Sequence, residues 1–543
     1  MKPGLFFCFK WVPGVASTVL SLIFLAVSFA GSEEGAPRSG GELVFALPVT
    51  PSHLNAAIAS GTAIGIPGAQ LFASPLRFDE NWKPQPYLAE KWEFSDDDLS
   101  LTLHLVKDAT FHDGAPITSE DVAFSLMLVK DHHPFSSMFA AVERVDTPDP
   151  HTAIIQLSHP HPALLLTMSP YFLPILPRHV YGDGQDIRTH PANTMPVGSG
   201  PYRLKSYIAG KRIELVRFDN FFLQGRPYLD RITFITGKEG KGTLFLEMRH
   251  GKVHMQSFVM PNEEQERKIV DTGMVITDKG YQAIGPLQWL AFNLSSKPLD
   301  DVRVRRALAH AIDREWVVDL FYGGRAREAT GPITPDSPFY SKDVPGYPYD
   351  IAKANTLLDA AGYPRGEDGR RFTLTVDGIP TTSVDSYSLL DYLRHEFAQT
   401  IGVEIRIRNH KDQPAWKGRI SSWDFQATID HVFNWGDPLI GVHRTYDSKN
   451  IRKGVMWSNT QQYSNPRIDE LMALAGREPE PEKRRAYYAE FQRLVLEDLP
   501  LYPLVLLPYR TVHHPDLRGV DDNIWGVLSP LDRVYWANSD GAR

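Results

Sequence analysis

The chain has 543 residues, with 57 lysines and arginines against 65 aspartates and glutamates, a formal net charge of −8. That mild acidity excludes the basic footprint of a nucleic-acid binder. A single cysteine, Cys8, excludes a disulfide scaffold and thiolate metal or redox chemistry.

The chain begins with a segment unlike the rest. Lys2 and Lys10 precede an apolar run, VASTVLSLIFLAVSF, over 15–29, and Ser28-Phe29-Ala30 closes it with small residues at the third-last and last positions. This is the pattern of a secretory signal peptide; cleavage after Ala30 leaves a small, polar tether, GSEEGAPRSGG. Cys8 leaves with the signal and no cysteine stands at the cleavage point, so the expected product is a soluble periplasmic protein without a lipid anchor. No later apolar run reaches the roughly 20 residues needed to span a bilayer. The nearest, PALLLTMSPYFLPILP over 162–177, is broken by prolines and reads as buried loop and strand.

Strand and helix signals then alternate. ELVFAL at 42–47 is strand-like, and LSLTLHLV at 99–106 alternates apolar with polar residues at the period of a half-buried strand; 372–376 and 403–407 read the same way. Asp300 and Asp301 predict the start of one helix carrying Val304, Leu308, Ala311 and Ile312 on one face and stopped by Gly323-Gly324. Arg303, Arg305, Arg306 and Arg314 make a basic face on it, expected in ion pairs or solvent. Asp350 predicts a second helix ending at Gly362, and Pro481 a third running to about Glu497. The fold class is mixed α/β, with about two to four domains at this length.

Enzyme motifs are missing: there is no G-x-S-x-G, H-E-x-x-H or true phosphate-binding loop, and GKEGKGT at 237–243 is only superficially similar to the last. Scattered carboxylates leave a secreted hydrolase as an alternative. His159 with His161, His132-His133 and His513-His514 lack a third ligand at a metal-site spacing. No metal and no cofactor is expected.

Four ordered blocks carry a family resemblance. They are AEKWEFSDDDLSLTLHLVKDATFHDGAPITSEDV at 89–122, PVGSGPYRL at 196–204, WLAFNLSSKPLDDVRVRRALAHAIDR at 289–314 and YSNPRIDEL at 463–471. The chain resembles the extracellular solute-binding proteins of the peptide/nickel class, family 5, that serve ABC importers; Ser199 stands where threonine is commoner. The blocks themselves read as turns and helix caps. The resemblance implies a two-lobed periplasmic binding protein fold of the cluster C type, with an extra domain inserted in the first lobe and a hinge between lobes. Carried onto this chain, the first lobe uses 31–75, 195–288 and 503–543, the inserted subdomain 76–194, and the second lobe 289–502. The crossovers then fall near 288–294 and 501–508. The implied partners are a peptide or peptide-like solute and the permease subunits, with the protein a monomer. Alternatives are a non-peptide solute such as an opine, a sugar–amino-acid conjugate, an oligosaccharide or a metal chelate.

For the site, IDHVFNWGDPLIGVHRTY at 429–446 is the most informative stretch. In peptide-binding members the equivalent segment often reads G-D-x-x-D-P, and its first aspartate grips the peptide's amine. Here Asp437-Pro438 matches the pair, but the amine-binding position is Asn434, which accepts a hydrogen bond without neutralising an ammonium. Trp435 and Trp457 are candidate cleft walls or interior packing. Ser60, Gly61 and Thr62 form a loop that lines the cleft in family members. Arg419 and Arg444 are candidates for a bidentate grip on a ligand carboxylate, or surface arginines.

Overall fold

The computed structural model describes residues 37–47, 51–235, 247–380 and 386–538. The signal peptide, its cleavage point, the tether and the 237–243 motif lie outside the described residues.

Three sheets organise the chain. The first has seven strands in the order Val275–Thr277, Arg510–His513, Met255–Val259, Glu42–Ala46, Arg231–Ile235, Arg212–Arg217, Tyr202–Ile208. Glu42–Ala46 runs parallel to both its neighbours, and the outer pairings are antiparallel. The second sheet has six strands in the order Arg327–Glu328, Leu501–Leu506, Pro286–Phe292, Ala427–Phe433, Phe372–Gly378, Val403–Arg408. The third, all antiparallel, joins Ala89–Phe94, Ser100–Leu105, Thr152–Leu157 and Val142–Asp149. The architecture is mixed α/β and two-lobed, and the four-stranded sheet falls between segments of the first large sheet.

The period-2 signal at 100–105 has a direct outcome: Leu101, Leu103 and Leu105 are buried, while their neighbours are partly exposed. Burying each such leucine stabilises the fold by roughly 1.5–3 kcal/mol. The helix expected from Asp301 to Gly323 is instead two. Val302–His310 is capped by the Asp301 side chain, and Arg314–Tyr322 starts afresh because the Asp313 carboxylate accepts the Trp316 amide. An N-cap aspartate offers the backbone a competing partner and so divides an otherwise continuous apolar face. The segment 162–177 contains no strand; it folds as a helical turn, Leu164–Thr167, followed by bends whose prolines keep it out of any ladder.

The expected basic face is also different. Arg305 is buried and donates to the carbonyls of Leu299, Leu499 and Asp498, and Arg306 donates to Glu497 O. These guanidiniums satisfy orphan carbonyls where helix Pro481–Asp498 ends, with Leu499 in the left-handed region at φ 47°.

The chain passes between the two large sheets at 278–285 and 507–509. Of the segments expected as crossovers, 288–292 and 501–506 already belong to strands of the second sheet. Beside the crossovers Glu266 accepts from Arg325 at 2.6 Å and from Arg510 at 3.0 Å.

Candidate functional site

The 429–446 stretch begins inside the second sheet. Strand Ala427–Phe433 pairs with Pro286–Phe292, so that Asp430 lies opposite Trp289. The chain then leaves the sheet through Trp435 and Gly436, both with positive φ (52° and 77°). Backbone bonds from Asn434 N to Gly285 O (3.1 Å) and from Trp435 N to Ile284 O (3.2 Å) tie this turn to a crossover. A Cβ on Gly436 would lie 2.9 Å from the Trp82 ring and 3.0 Å from the Leu166 side chain. Glycine is therefore needed for conformation and for close approach of the opposing lobe. Asp437 then caps the helical turn Pro438–Gly441 by accepting the Leu439 amide.

From the opposing side, helix Thr62–Leu71 presents its N-terminus. The 198–200 turn holds its far end so closely that a Cβ on Gly198 would meet Leu71 O at 1.9 Å. At the near end Ser60, Gly61 and Thr62 are half-buried, and the Gly61 amide donates to the Tyr171 hydroxyl at 2.8 Å. Tyr171 in turn stacks on Trp435, ring centroids 4.4 Å apart at 25°. Phe172, Phe433 and Phe135 surround the same indole at 5.6, 5.2 and 6.0 Å. Both lobes thus contribute to one aromatic box.

Arg444 forms the polar edge of that box. It sits on the helical turn His443–Tyr446, 8 % exposed, with its guanidinium 4.5 Å over the Phe135 ring. Its Nε donates to Gly441 O (3.0 Å) and its Nη1 to Trp457 O (3.2 Å). Among the described residues its Nη2 has no hydrogen-bond partner and no carboxylate forms an ion pair with it. Burial lowers its pKa to about 10, with Tyr171 and Asp430 pulling the other way, so it is charged at neutral pH. Asp430 behaves oppositely. Burial pushes its carboxyl up to about 8 against the smaller effects of Trp289 and Arg444, which leaves it protonated at pH 7 and able to donate. The Trp289 indole N–H approaches this carboxyl but misses hydrogen-bond geometry, so Asp430 Oδ1, Trp289 Nε1 and Trp435 Nε1 are all buried and unpartnered. Such groups are uncommon in protein interiors; here three belong to residues at or next to the box. Burial also keeps His133, His431 and His443 neutral, at about 3, 4 and 3.

The sequence candidates separate into groups. Gly61, Trp435 and Arg444 come together around Tyr171, flanked by Ser60 and Thr62, and Trp457 joins through its carbonyl while its ring carries the Lys417 ammonium at 4.2 Å. Asn434 and Asp437 flank the box with their polar groups already engaged. Asn434 Nδ2 donates to Pro332 O at 2.9 Å. Asp437 receives both terminal nitrogens of Arg484, each at 2.9 Å. Burial acts to raise the Asp437 pKa, but Arg484 and the Leu439 amide outweigh it and hold it below the usual carboxylate range. Arg419 lies apart, paired with Asp424 at the surface. Sequence reasoning missed Tyr171, Phe135, Asp430, Trp289 and Arg484. Only Asp430 left a signal, a carboxylate within the apolar strand ATIDHVF. Among the described residues no group of three or more histidines, cysteines or carboxylates is arranged to hold a metal ion.

Comparison with known proteins agrees with this geometry. Residues 83–453 match the family described as Bacterial extracellular solute-binding proteins, family 5 Middle. The glutathione-binding protein GsiB of Salmonella typhimurium is 27 % identical over 473 residues, covering 81 % of this chain and 84 % of its own. Heme-binding protein A of Haemophilus influenzae is 26 % identical over 516 residues, 90 % of each. The oligopeptide-binding protein AppA of Bacillus subtilis, solved with a nonapeptide, superposes with a TM-score of 0.80 at 23 % identity, covering 92 % of this chain and 100 % of that one. The chain belongs to family 5 of the bacterial extracellular solute-binding proteins, the binding components of ABC importers.

Proposed function

We propose that this protein captures a peptide-like solute bearing a carboxylate between its lobes and delivers it to the permease. The observation that carries the reading is Arg444, a buried cation without a carboxylate partner, set against rings from both lobes. A guanidinium with a free edge suits a carboxylate, and charge-assisted bonds offset desolvation of both groups. Trp435 and Trp457 supply flat apolar walls, and the Ser60–Thr62 edge supplies polar groups from the opposite lobe. The names of GsiB and AppA, which concern glutathione and a nonapeptide, support the peptide-like class.

Closure follows from contacts made to both lobes, since a ligand shifts a conformational equilibrium only by binding one state better. The lobes divide at 278–285 and 507–509, which serve as the hinge. Export through the 1–30 segment makes the mature protein periplasmic and unanchored, working as a monomer with no nucleic-acid partner and no catalytic step. Titration calorimetry with a tripeptide library tests the reading: saturable binding without product release is expected, lost on Arg444→Met. Turnover of the library by the same protein would instead identify a hydrolase.

A further inference from the structure

The box bordered by Arg444 contains no ionised carboxylate free to meet a ligand ammonium. The candidates are three and each is accounted for. Asp437 gives both oxygens to Arg484, and Asn434, uncharged, spends its amide on Pro332 O. Asp430 is fully enclosed beside Trp289 and Arg444, and its burial favours the protonated form. The charges that remain are cationic: Arg444 within the box, and Lys417 over the adjoining Trp457 ring. A zwitterionic peptide placed here would bury its ammonium next to like charge, with only neutral acceptors for its three donors.

We propose that the solute is an acid without a free ammonium, such as an N-acylated or otherwise N-blocked peptide or amino-acid conjugate, held with its carboxylate on Arg444. This rests on the solute-binding reading above and narrows its substrate class. The blocked nitrogen fits the same surroundings: an amide N–H needs one neutral acceptor and its acyl carbonyl accepts one donor, which the unpartnered indole N–H groups of Trp289 or Trp435 provide.

The test uses the full mature protein and one tripeptide library in three forms: N-acetylated with free carboxyl, free amine with free carboxyl, and N-acetylated with C-terminal amide. Binding is read by titration calorimetry. The acetylated acids are expected to bind more tightly than the free-amine acids by about tenfold or more, the ratio set by one unpaired buried charge. The amidated form should lose binding by a similar factor. Equal or tighter binding of the free-amine acids overturns the inference; if Arg444→Met then abolishes that binding, the capture reading itself survives. Absence of binding in all three forms overturns both. Because the comparison is made on the unmodified protein, it does not depend on any variant folding.

Discussion

Asp437→Asn separates a structural role for this carboxylate from a ligand-binding one. The Asp437 and Arg484 side chains are 9 % and 4 % exposed, joined by two bonds of 2.9 Å, and the guanidinium lies 4.4 Å from Phe339 and 5.5 Å from Tyr488. Removing the negative charge leaves a cation buried among rings, a loss of about 3–5 kcal/mol. Replacing both partners, Asp437→Asn with Arg484→Met, removes the uncompensated charge and fills the space between the rings, so most of the loss should be recovered. Urea unfolding of the parent, both single variants and the double variant measures the coupling. The pair should also weaken in acid. The folded-state pKa of Asp437 is depressed, so its contribution is present above the unfolded value near 4 and is lost as pH falls through the folded one. If Asp437→Asn leaves the urea midpoint unchanged while abolishing solute binding, the carboxylate contacts solute and the structural reading is refuted.

Asp430 titrates with the opposite sign. Its folded pKa of about 8 lies above the unfolded value, so the native state loses stability as pH rises from about 4 to 8. Asp430→Asn should therefore raise stability at pH 7.5 by roughly 2 kcal/mol and flatten that slope, measured by urea unfolding across pH. Gly436→Ala introduces a side chain at φ 77° against Trp82 and Leu166; about 1–2 kcal/mol of backbone strain plus the clash should hold the lobes apart, seen as a larger radius of gyration in X-ray scattering with solute present. Asp313→Ala removes the cap of Arg314–Tyr322 and should cost about 1 kcal/mol in urea unfolding without changing solute affinity. The exported protein should have the mass of a chain beginning at Gly31.

The fold was largely legible because its signals are local. Alternation at 100–105, caps at Asp301 and Asp350 and the turn at Phe111–Gly114 each depend on neighbours a few residues away. What the sequence hid depends on distant partners. Nothing near Arg305 indicates that its guanidinium serves carbonyls at 498 and 499, and nothing near Asp437 points to Arg484 forty-seven positions away. The site divides in the same way. Trp435 and Arg444 could be named from one loop, whereas Tyr171 lies in a proline-broken stretch that reads as packing, and its role exists only because it meets Trp435 and Gly61. The Asp313 cap was readable but was overridden by the apolar face running past it.

The most direct test of capture between the lobes is hydrogen–deuterium exchange of the mature protein with and without a saturating N-acetylated tripeptide library. Both 58–62 and 434–446 should become protected together, because Gly61 and Trp435 meet across Tyr171. Protection confined to one of these segments would contradict the account.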